Sequence, residues 1–595
     1  MRLDLSTFRQ FRCWDIVIAA GLFVFGFAVN YHTGWRMYEI NLPDGGLVAD
    51  AAWRISQGQV PFEDFGMIQG AGAALMEAPF VMLFGKSLLP MIVHVSFVNG
   101  LAAVLCFAVL RMLSLSTPLA ALFGLFTGII FYAPLGMAFS VQHGGFFALS
   151  ALTLAVWGEW RRPAMLPRIL AWIAAGAFWG LAAMSKITIG FYFPAFLVLL
   201  LIDARRTALA KAVCLGLGGL LPFLLVLWIA DNALYTLQGM WDYIIRIPNE
   251  YGGHRLKGSL NDALKVYEMT VTPTVLVTFG LFVAGASFWY RVRHEAQDRL
   301  GTILPGDIAA GMLILTMGGL LQLGAVYVAT IHHFGLHTME QLVFVAAGIA
   351  LAGFMMLVRT HAGVEPSSGR RPVLLGLQGF AIAIVFVSAF DAWWNYRNLI
   401  RYGGFRDRAS AYFAKVDVPP ELIFPEIEGA RFREFHSRWV TEKVFGKDYI
   451  LRNLREDKAI VDFLKAYPDN VVLVDFEFVF YMFAGKPSPL PVISIQPGAS
   501  SPHVTSPLYP KTLERLKTNF LKYDIKAALV SEKEYKNQSA FIMQNPQTFC
   551  STTAHPYIYE VRLCPLESRP ADWPVKIAHL VSMDGAFYGD AGKYQ

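Results

Sequence analysis

The sequence predicts an α-helical polytopic membrane protein of about eleven transmembrane helices and two interfacial helices, followed by a C-terminal α/β extracytoplasmic domain. The 595 residues are 55% hydrophobic and only 16% charged, a composition typical of integral membrane proteins. About 20 apolar residues are needed to cross a bilayer, and runs of that kind recur until residue 391. The more polar segment 392–595 has no further run of this length. We therefore predict two domains, 1–391 and 392–595.

The membrane domain is predicted from the lengths of its apolar runs. The predicted spans are residues 14–31, 88–112, 115–134, 142–159, 168–184, 188–203, 212–231, 273–290, 308–330, 340–358 and 373–391. The run 71–85 is short and contains Glu77 and Pro79. We interpret it as the second interfacial helix rather than a span.

Charge distribution predicts the orientation in the membrane. Arginine and lysine recur in alternate connections, whereas the loops 135–141 and 331–339 contain neither. By the positive-inside rule, the N-terminus is cytoplasmic and residues 32–87, 232–272 and 392–595 lie outside. The first apolar run has no convincing cleavage site and is predicted to remain as a span. This predicts a multi-pass protein of the inner (plasma) membrane with a periplasmic C-terminal domain.

The first outer segment, 32–87, is unusually rich in carboxylates for this part of the chain. Asp44, Asp50, Glu63 and Asp64 lie within 25 residues of sequence. From Leu47 the pattern predicts a short amphipathic helix along the bilayer surface, with Asp50 on its polar side. Such a helix would hold Asp44 at the boundary between lipid and water.

The C-terminal segment alternates strand-like and helical patterns. Strands are predicted from Asn470 and from Ile525, and helices around 453–466 and 510–522, which indicates a small α/β domain. Cys550 and Cys564 flank a strand-like aromatic run. In an oxidising compartment two such cysteines favour a disulfide, and two unpaired thiols are the alternative.

Three stretches, in this order, resemble the GT-C-fold glycosyltransferases, which include the aminoarabinose transferases and the protein O-mannosyltransferases. They are GQVPFEDF at 58–65, GAGAALMEAPFVMLFGKS at 70–87 and GLAAMSKITIGFYFPAFLVLLL at 180–201. The resemblance covers about the first 200 residues, and the later spans only in topology. It departs from the family pattern at Gly45, where an acidic residue is frequent. It departs again at 69–72, where Lys-Pro-Pro or Gly-Pro is frequent.

The resemblance implies transfer of a sugar from a polyprenyl-phosphate donor to a lipid, polysaccharide or protein acceptor of the cell envelope. Asp44 would be the base, with inversion at the anomeric carbon, and Asp64 is a second catalytic candidate. Glu63 would line the substrate cleft. The alternative for Asp44 is a helix N-cap, and for Glu63 and Asp64 a solvated turn. No cofactor is implied, although a divalent metal is compatible with the family. Membrane lipids are expected partners.

The donor phosphate requires positive charge. Lys186 lies at an outer junction of two spans, where the family's motif lysine lies, and an ionisable group there is a functional candidate. The alternative is a lysine that snorkels to the interface. Arg54 and three histidines, His332, His333 and His337, are further candidates for the phosphate. Those histidines could instead hold a metal, shuttle a proton or simply be loop polarity.

Further candidates for the substrate cleft come from three outer segments: Gln69, His143, Arg246 and Tyr251. His143 begins a predicted span and could instead be a polar helix-entry residue. Aromatic and basic residues in 232–272 suit a sugar-and-phosphate cleft and, equally, an interfacial belt.

Other functions are less compatible with the sequence. It has no GxxxxGK[ST] loop, paired CxxC or HExxH motif, so an ATP-driven pump and a zinc protease are not expected. The net charge of +6 is spread between spans, without a basic cluster interleaved with aromatics, which argues against nucleic acid. The main alternative is a transporter or flippase, but the spans show no repeat and few central carboxylates. A third possibility is a scaffold with an outer sensing domain.

Overall fold

The computed structural model describes most of the chain, with gaps between the described ranges. These are residues 13–34, 43–68, 70–132, 138–160, 164–200, 205–247, 272–300, 306–331, 342–362, 379, 382–393, 418–427, 447–476, 478–492, 502, 504 and 506–581.

Most of the described residues of the first domain are helical. The helices are α1 (Cys13–Gly34), α2 (Pro43–Ser56), α3 (Gly72–Phe84), α4 (Leu89–Met112), α5 (Thr117–Ile130), α6 (Ser140–Trp160), α7 (Met165–Ser185), α8 (Phe193–Leu200), α9 (Arg205–Ile229), α10 (Ala233–Met240), α11 (Thr272–Leu300), α12 (Gly306–Ile331), α13 (Val343–Ala362) and α14 (Ile382–Trp393). A 3-10 turn, Ile187–Tyr192, precedes α8, and a π-helical turn, Trp241–Arg246, follows α10.

The predicted membrane character is confirmed, whereas the number of spans stays a prediction. Within the described ranges, six helices are long and apolar enough to cross a membrane: α1, α4, α7, α9, α11 and α12. Shorter apolar helices include α3, α5, α13 and α14. Each of the predicted runs falls on a described helix, and α3 begins and ends within one residue of the predicted short helix.

Buried ion pairs hold the helix ends together. The Glu159 carboxylate of α6 lies 2.7 Å from Lys211 Nζ of α9 and 2.8 Å from Arg168 of α7. Arg111 of α4 pairs with Asp15 of α1 at 3.1 Å. Since a buried charge needs a partner, these contacts set which helix ends are neighbours.

The C-terminal domain is built on a four-stranded sheet. Its strands are β1 (Asn470–Val474), β2 (Ile525–Ser531), β3 (Phe549–His555) and β4 (Ile558–Leu563), in the order β1-β2-β4-β3. The β1–β2 pair is parallel and the other pairs are antiparallel. Its helices are α15 (Lys447–Ala466), α16 (Val479–Ala484), α17 (Tyr509–Lys522), α18 (Glu532–Gln544) and α19 (Trp573–Leu580). The predicted strands at Asn470 and Ile525 are confirmed, as are the two predicted helices.

Strands β1 and β2 are largely buried on both faces of the sheet, whereas most of β3 is exposed. Alternate side chains of β1 enter two different apolar clusters, Val471 and Leu473 one of them, Val472 and Val474 the other. This is the period of two expected for a strand. The cluster with Val471 continues into the helices of the first domain. The two parts of the chain therefore share an apolar core, while the predicted boundary at residue 391 stays a prediction.

The predicted exposed polar side of α2 needs correction, whereas its position along the bilayer surface stays a prediction. Every residue from Gly46 to Arg54 is buried, because α2 packs between α3 and α16 of the C-terminal domain. Three small residues, Ala49, Ala51 and Ala52, allow this close approach. Asp50 is therefore buried rather than on an exposed polar side.

Candidate functional site

The candidate site is built around the connecting segment, residues 43–88, which joins α1 to α4. It contains α2, a tight turn at 58–65 and α3. In the 58–65 turn the Phe62 N–H donates to Phe65 O at 2.8 Å. Phe62 has a φ of 69°, a left-handed conformation that costs a bulky residue free energy. Contacts from outside the turn must therefore stabilise it.

Helix α17 of the C-terminal domain supplies those contacts. Arg515 donates to Phe62 O at 2.6 Å, Asn519 to Asp64 O at 3.1 Å, and Lys522 to the Asp64 carboxylate at 2.9 Å. Residues spaced by four and three share one face of a helix. One face of α17 thus holds the 58–65 turn.

The predicted catalytic role of Asp64 is not supported by this geometry. One carboxylate oxygen accepts from the Val60 N–H at 2.7 Å, and the other binds Lys522. The side chain is 15% exposed. Asp64 therefore stabilises the turn, as the solvated-turn alternative partly anticipated.

Replacing Asp64 with Asn is expected to leave sugar transfer within about threefold of wild type, because this carboxylate is not aimed at substrate. Loss of the charge-assisted bonds should lower the free energy of unfolding by about 1–3 kcal/mol. Thermal unfolding and a transfer assay on the same preparation check both statements. A transfer rate lowered a hundredfold with unchanged stability would restore Asp64 to the catalytic set.

Glu63 is also engaged in a structural contact rather than in a cleft. Its carboxylate accepts from the N–H groups of Asp231 and Asn232 at 3.0 and 2.8 Å, just before α10 begins. Thr236 donates to it as well, at 3.3 Å. The predicted cleft residue therefore fixes the start of α10 against the 58–65 turn.

Arg54 does not have the predicted role of phosphate ligand. Its guanidinium is fully buried and pairs with Asp50 at 2.7 Å. It also donates to the Ser488 hydroxyl and to Leu490 O, and it lies 5.1 Å from the Phe65 ring centroid. Arg54 joins α2 to the segment 488–492 of the C-terminal domain. A bound phosphate could reach it only by displacing these partners.

Asp50 shares this buried environment. Burial raises the pKa of the Asp50 carboxyl above its usual value, and the neighbouring Arg54 opposes that rise. Without Arg54, the charge would be isolated in the core between two domains. This pair is therefore the charged component of the joint between α2 and the C-terminal domain.

Asp44 lies in the first turn of α2, which begins at Pro43. The helix begins one residue before Asp44, so the residue is inside the helix and the N-cap alternative is not favoured. A carboxylate in a first helical turn interacts favourably with the helix dipole. The contacts of its side chain are outside the described part of the structure, and its catalytic role stays a prediction.

Lys186 lies at a break between helices, as predicted. It follows the last residue of α7, and its extended backbone (φ −164°, ψ 119°) separates α7 from the 3-10 turn. The connecting segment approaches this break very closely. A Cβ on Gly70 would lie 1.9 Å from Met184 O, and one on Gly72 2.2 Å from Ser185 Oγ. Glycine is therefore required for the second and third motifs of the resemblance to meet beside Lys186.

His143 is buried in a hydrogen-bonded chain rather than exposed to a cleft. Its Nε2 lies 2.9 Å from His94 Nε2, and its Nδ1 lies 3.0 Å from the Tyr132 hydroxyl. His94 Nδ1 faces Glu77 Oε2 of α3 at 3.5 Å. The four side chains contact one another in the order Tyr132, His143, His94, Glu77. They therefore form a line and do not surround one common point. Glu77, His94 and Tyr132 were missed as site candidates, although a carboxylate within an apolar run is a recognisable signal.

The remaining predicted residues divide into two groups. Gln69, Tyr251 and the histidines at 332, 333 and 337 lie outside the described residues. Arg246 is the last residue of the π-helical turn and is half-buried. Its role at a substrate cleft stays a prediction.

The disulfide predicted between Cys550 and Cys564 is present in the structure. It joins the start of β3 to the residue after β4, with the two Cα atoms 4.9 Å apart. Within the described ranges, no group of three His, Cys, Asp or Glu residues could hold a metal ion.

These features define a class: a helical multi-pass membrane protein whose connecting segment is held by a C-terminal α/β domain. No protein-family model matches the chain, and no curated protein matches it by sequence. Among solved structures it is similar to ArnT from Cupriavidus metallidurans bound to undecaprenyl phosphate. The identity is 10% and the TM-score 0.43, over 94% of this chain and 99% of that one. It is also similar to the apo oligosaccharyltransferase of Archaeoglobus fulgidus. The identity there is 12% and the TM-score 0.38, over 91% of this chain and 72% of that one.

Proposed function

We propose that this protein is a membrane glycosyltransferase that moves a sugar from a polyprenyl-phosphate donor to a cell-envelope acceptor on the outer face of the membrane. The observation that supports this most directly is the junction beside Lys186. Gly70 and Gly72 of the connecting segment pack against the last residues of α7. A transferase must bring its base and its phosphate-binding cation to one place, and this contact packs the connecting segment that carries Asp44 against the helix that ends before Lys186.

The proposed reaction uses two charged groups in opposite roles. Asp44 accepts the proton of the acceptor nucleophile, which attacks the anomeric carbon from the side opposite the phosphate. The new bond forms to the acceptor as the bond from the anomeric carbon to the phosphate oxygen breaks. The configuration is thereby inverted. The departing polyprenyl phosphate carries the electron pair and an added negative charge, which the Lys186 ammonium stabilises.

The helix break makes Lys186 suitable for this role. Its extended backbone interrupts the helical hydrogen bonds after α7, and Ile189 N–H already bonds back to Lys186 O at 3.1 Å. A lysine ammonium acts as a compact point charge toward phosphate. In the proposed reaction the lipid-borne phosphate enters sideways from the membrane to reach Lys186.

Replacing Lys186 with Met is expected to lower the transfer rate about 10²–10³-fold, because one preorganised cation at the leaving phosphate is lost. Lys186→Arg, which retains the charge, should recover at least a tenth of the wild-type rate. The measurement is transfer from polyprenyl-phosphate sugars by purified protein in nanodiscs. Equal rates for wild type and Lys186→Met would exclude the phosphate role.

A comparison of cell envelopes tests the function as a whole. A strain lacking the gene should lose one sugar modification of its envelope lipids, polysaccharides or proteins, detected by mass spectrometry. The wild-type gene should restore it and the Asp44→Asn gene should not. If both genes restored the envelope, the transporter alternative would be favoured, since conduction does not need this base.

A further inference from the structure

A small pocket lies between the α10 region and helix α17 of the C-terminal domain. It is lined by Asp242 and Tyr243 of the π-helical turn and by Lys511, Thr512 and Arg515 of α17. Its volume is about 10 Å³, enough for one water molecule or one ligand oxygen. π-Helical turns are rare in proteins overall, and those that occur often lie at functional sites. The pocket is outside the candidate catalytic site described above.

The pocket extends the face of α17 that holds the 58–65 turn. Arg515, Asn519 and Lys522 on this face each bind that turn. Lys511 precedes Arg515 by four residues and belongs to the same face. Its Nζ atom is buried and has no hydrogen-bond partner among the described residues. Of the four residues on this face of α17, Lys511 is the one whose side chain makes no hydrogen bond to the 58–65 turn.

Lys511 Nζ has an ion pair and an aromatic contact but no hydrogen bond to a described residue. Asp242 Oδ2 lies 3.8 Å away, beyond hydrogen-bond distance. The Tyr235 ring centroid lies 4.7 Å away, and the same ring is 4.3 Å from the Arg515 guanidinium. Lys511, Arg515 and Asp242 together carry a net positive charge, while the Glu514 and Glu63 carboxylates also act on the Tyr235 ring. Burial lowers the pKa of Lys511, an effect that an added anion would oppose.

An ammonium has three donors and accepts nothing, so a buried one requires oxygen ligands. Lys511 is 24% exposed along its side chain, which leaves the pocket reachable from solvent. We propose that this pocket binds an oxyanion, a phosphate or carboxylate group, with Lys511 as its principal ligand. The assignment of that group to the acceptor rests on the proposed function, whereas the binding itself does not.

The position of the pocket favours the acceptor as the source of the bound oxyanion. The pocket is formed by the C-terminal domain and the α10 region, and Arg515 links it to the 58–65 turn through Phe62 O. Lys186, the proposed ligand of the lipid phosphate, lies at the end of α7. An acidic acceptor anchored at Lys511 would be held by the domain that also holds the connecting segment.

The test is a titration of the full-length protein with inorganic phosphate, in nanodiscs of phosphatidylcholine and followed by calorimetry. The Lys186→Met variant is used, so that the proposed donor site does not contribute. We expect saturable binding that Lys511→Gln weakens at least about tenfold, as loss of a charged ligand requires. Lys517→Gln, an exposed lysine on the same helix, is the matched control and should bind as before. Lys511→Arg should retain binding.

Phosphate binding that is absent, or indifferent to Lys511→Gln, would overturn the proposal and leave water as the bridge between Lys511 and Asp242. Competition by undecaprenyl phosphate added to the nanodisc would overturn the assignment to the acceptor and give the pocket to the lipid. Because these measurements need no sugar transfer, their result is independent of the proposed reaction. Thermal unfolding of each variant verifies that it is folded.

Discussion

Asp44→Asn is expected to lower the rate of sugar transfer about 10²–10⁴-fold while the protein stays folded. The amide keeps the size of the side chain but cannot accept a proton from the acceptor, and general-base catalysis contributes an effect of this order. Asp44 lies in the first turn of α2. The measurement is transfer from polyprenyl-phosphate sugars extracted from the source membranes, with the product followed by mass spectrometry.

The matched control comes from the same connecting segment. Asp64→Asn removes a carboxylate whose partners are Val60 N–H and Lys522, so it changes the charge equally without touching the proposed base. A normal rate for Asp44→Asn would exclude Asp44 as the base. A similar loss of rate in both variants, with unchanged stability, would restore Asp64 to the catalytic set beside Asp44.

Arg54→Met is expected to give the largest loss of stability, about 3–5 kcal/mol, because it leaves the Asp50 charge buried and unpaired. The substitution also removes the donors to Ser488 and Leu490 O, so the C-terminal domain loses a polar contact to α2. Thermal or denaturant unfolding in detergent measures the loss. Proteolysis should cleave between the domains more readily in this variant.

The pH dependence of the stability of Arg54→Met follows from the direction in which burial shifts the pKa of Asp50. Burial holds the folded pKa of Asp50 above the unfolded value of about 4, and removal of Arg54 raises it further. The folded state then binds the proton more tightly, so stability is lost as pH rises from about 4 toward the folded pKa. Stability of the variant should therefore improve on acidification more than that of wild type.

A double variant separates charge from packing. Asp50→Asn combined with Arg54→Met removes both charges, and it should recover part of the stability lost in the single variant. The recovery also identifies the unpaired Asp50 carboxylate as the cause. If the single variant were as stable as wild type, the buried pair would not be the joint between the domains.

Short sequence patterns were sufficient to predict the secondary-structure elements and to place Lys186 between two helices. Apolar length placed the helices, short strand-like apolar runs placed β1 and β2, and the motif around Lys186 falls at a break between helices. These are properties of short stretches, since hydrophobic periodicity reports the face that a segment buries. The cysteines at 550 and 564 were paired correctly because they are the two cysteines of a segment predicted to lie in an oxidising compartment.

Long-range contacts could not be anticipated in the same way. Arg54, Asp64 and Glu63 have the residue types of a binding site, yet each bonds to a segment more than 150 residues away. Nothing in the neighbouring sequence distinguishes a carboxylate that meets substrate from one that meets Lys522. The chain of Glu77, His94 and His143 was missed because its members come from three separate helices.

The amino-acid sequence by itself determined that this is a helical membrane protein with a C-terminal α/β domain, because burial of apolar surface depends on composition and period. Only the tertiary structure decided which polar groups are engaged in stabilising contacts. The C-terminal domain covers α2 and holds the 58–65 turn through one face of α17. A buried or half-buried charge is stabilised by whichever group the folded chain places beside it. In this protein that group is often far away in the sequence, so local sequence does not reveal it.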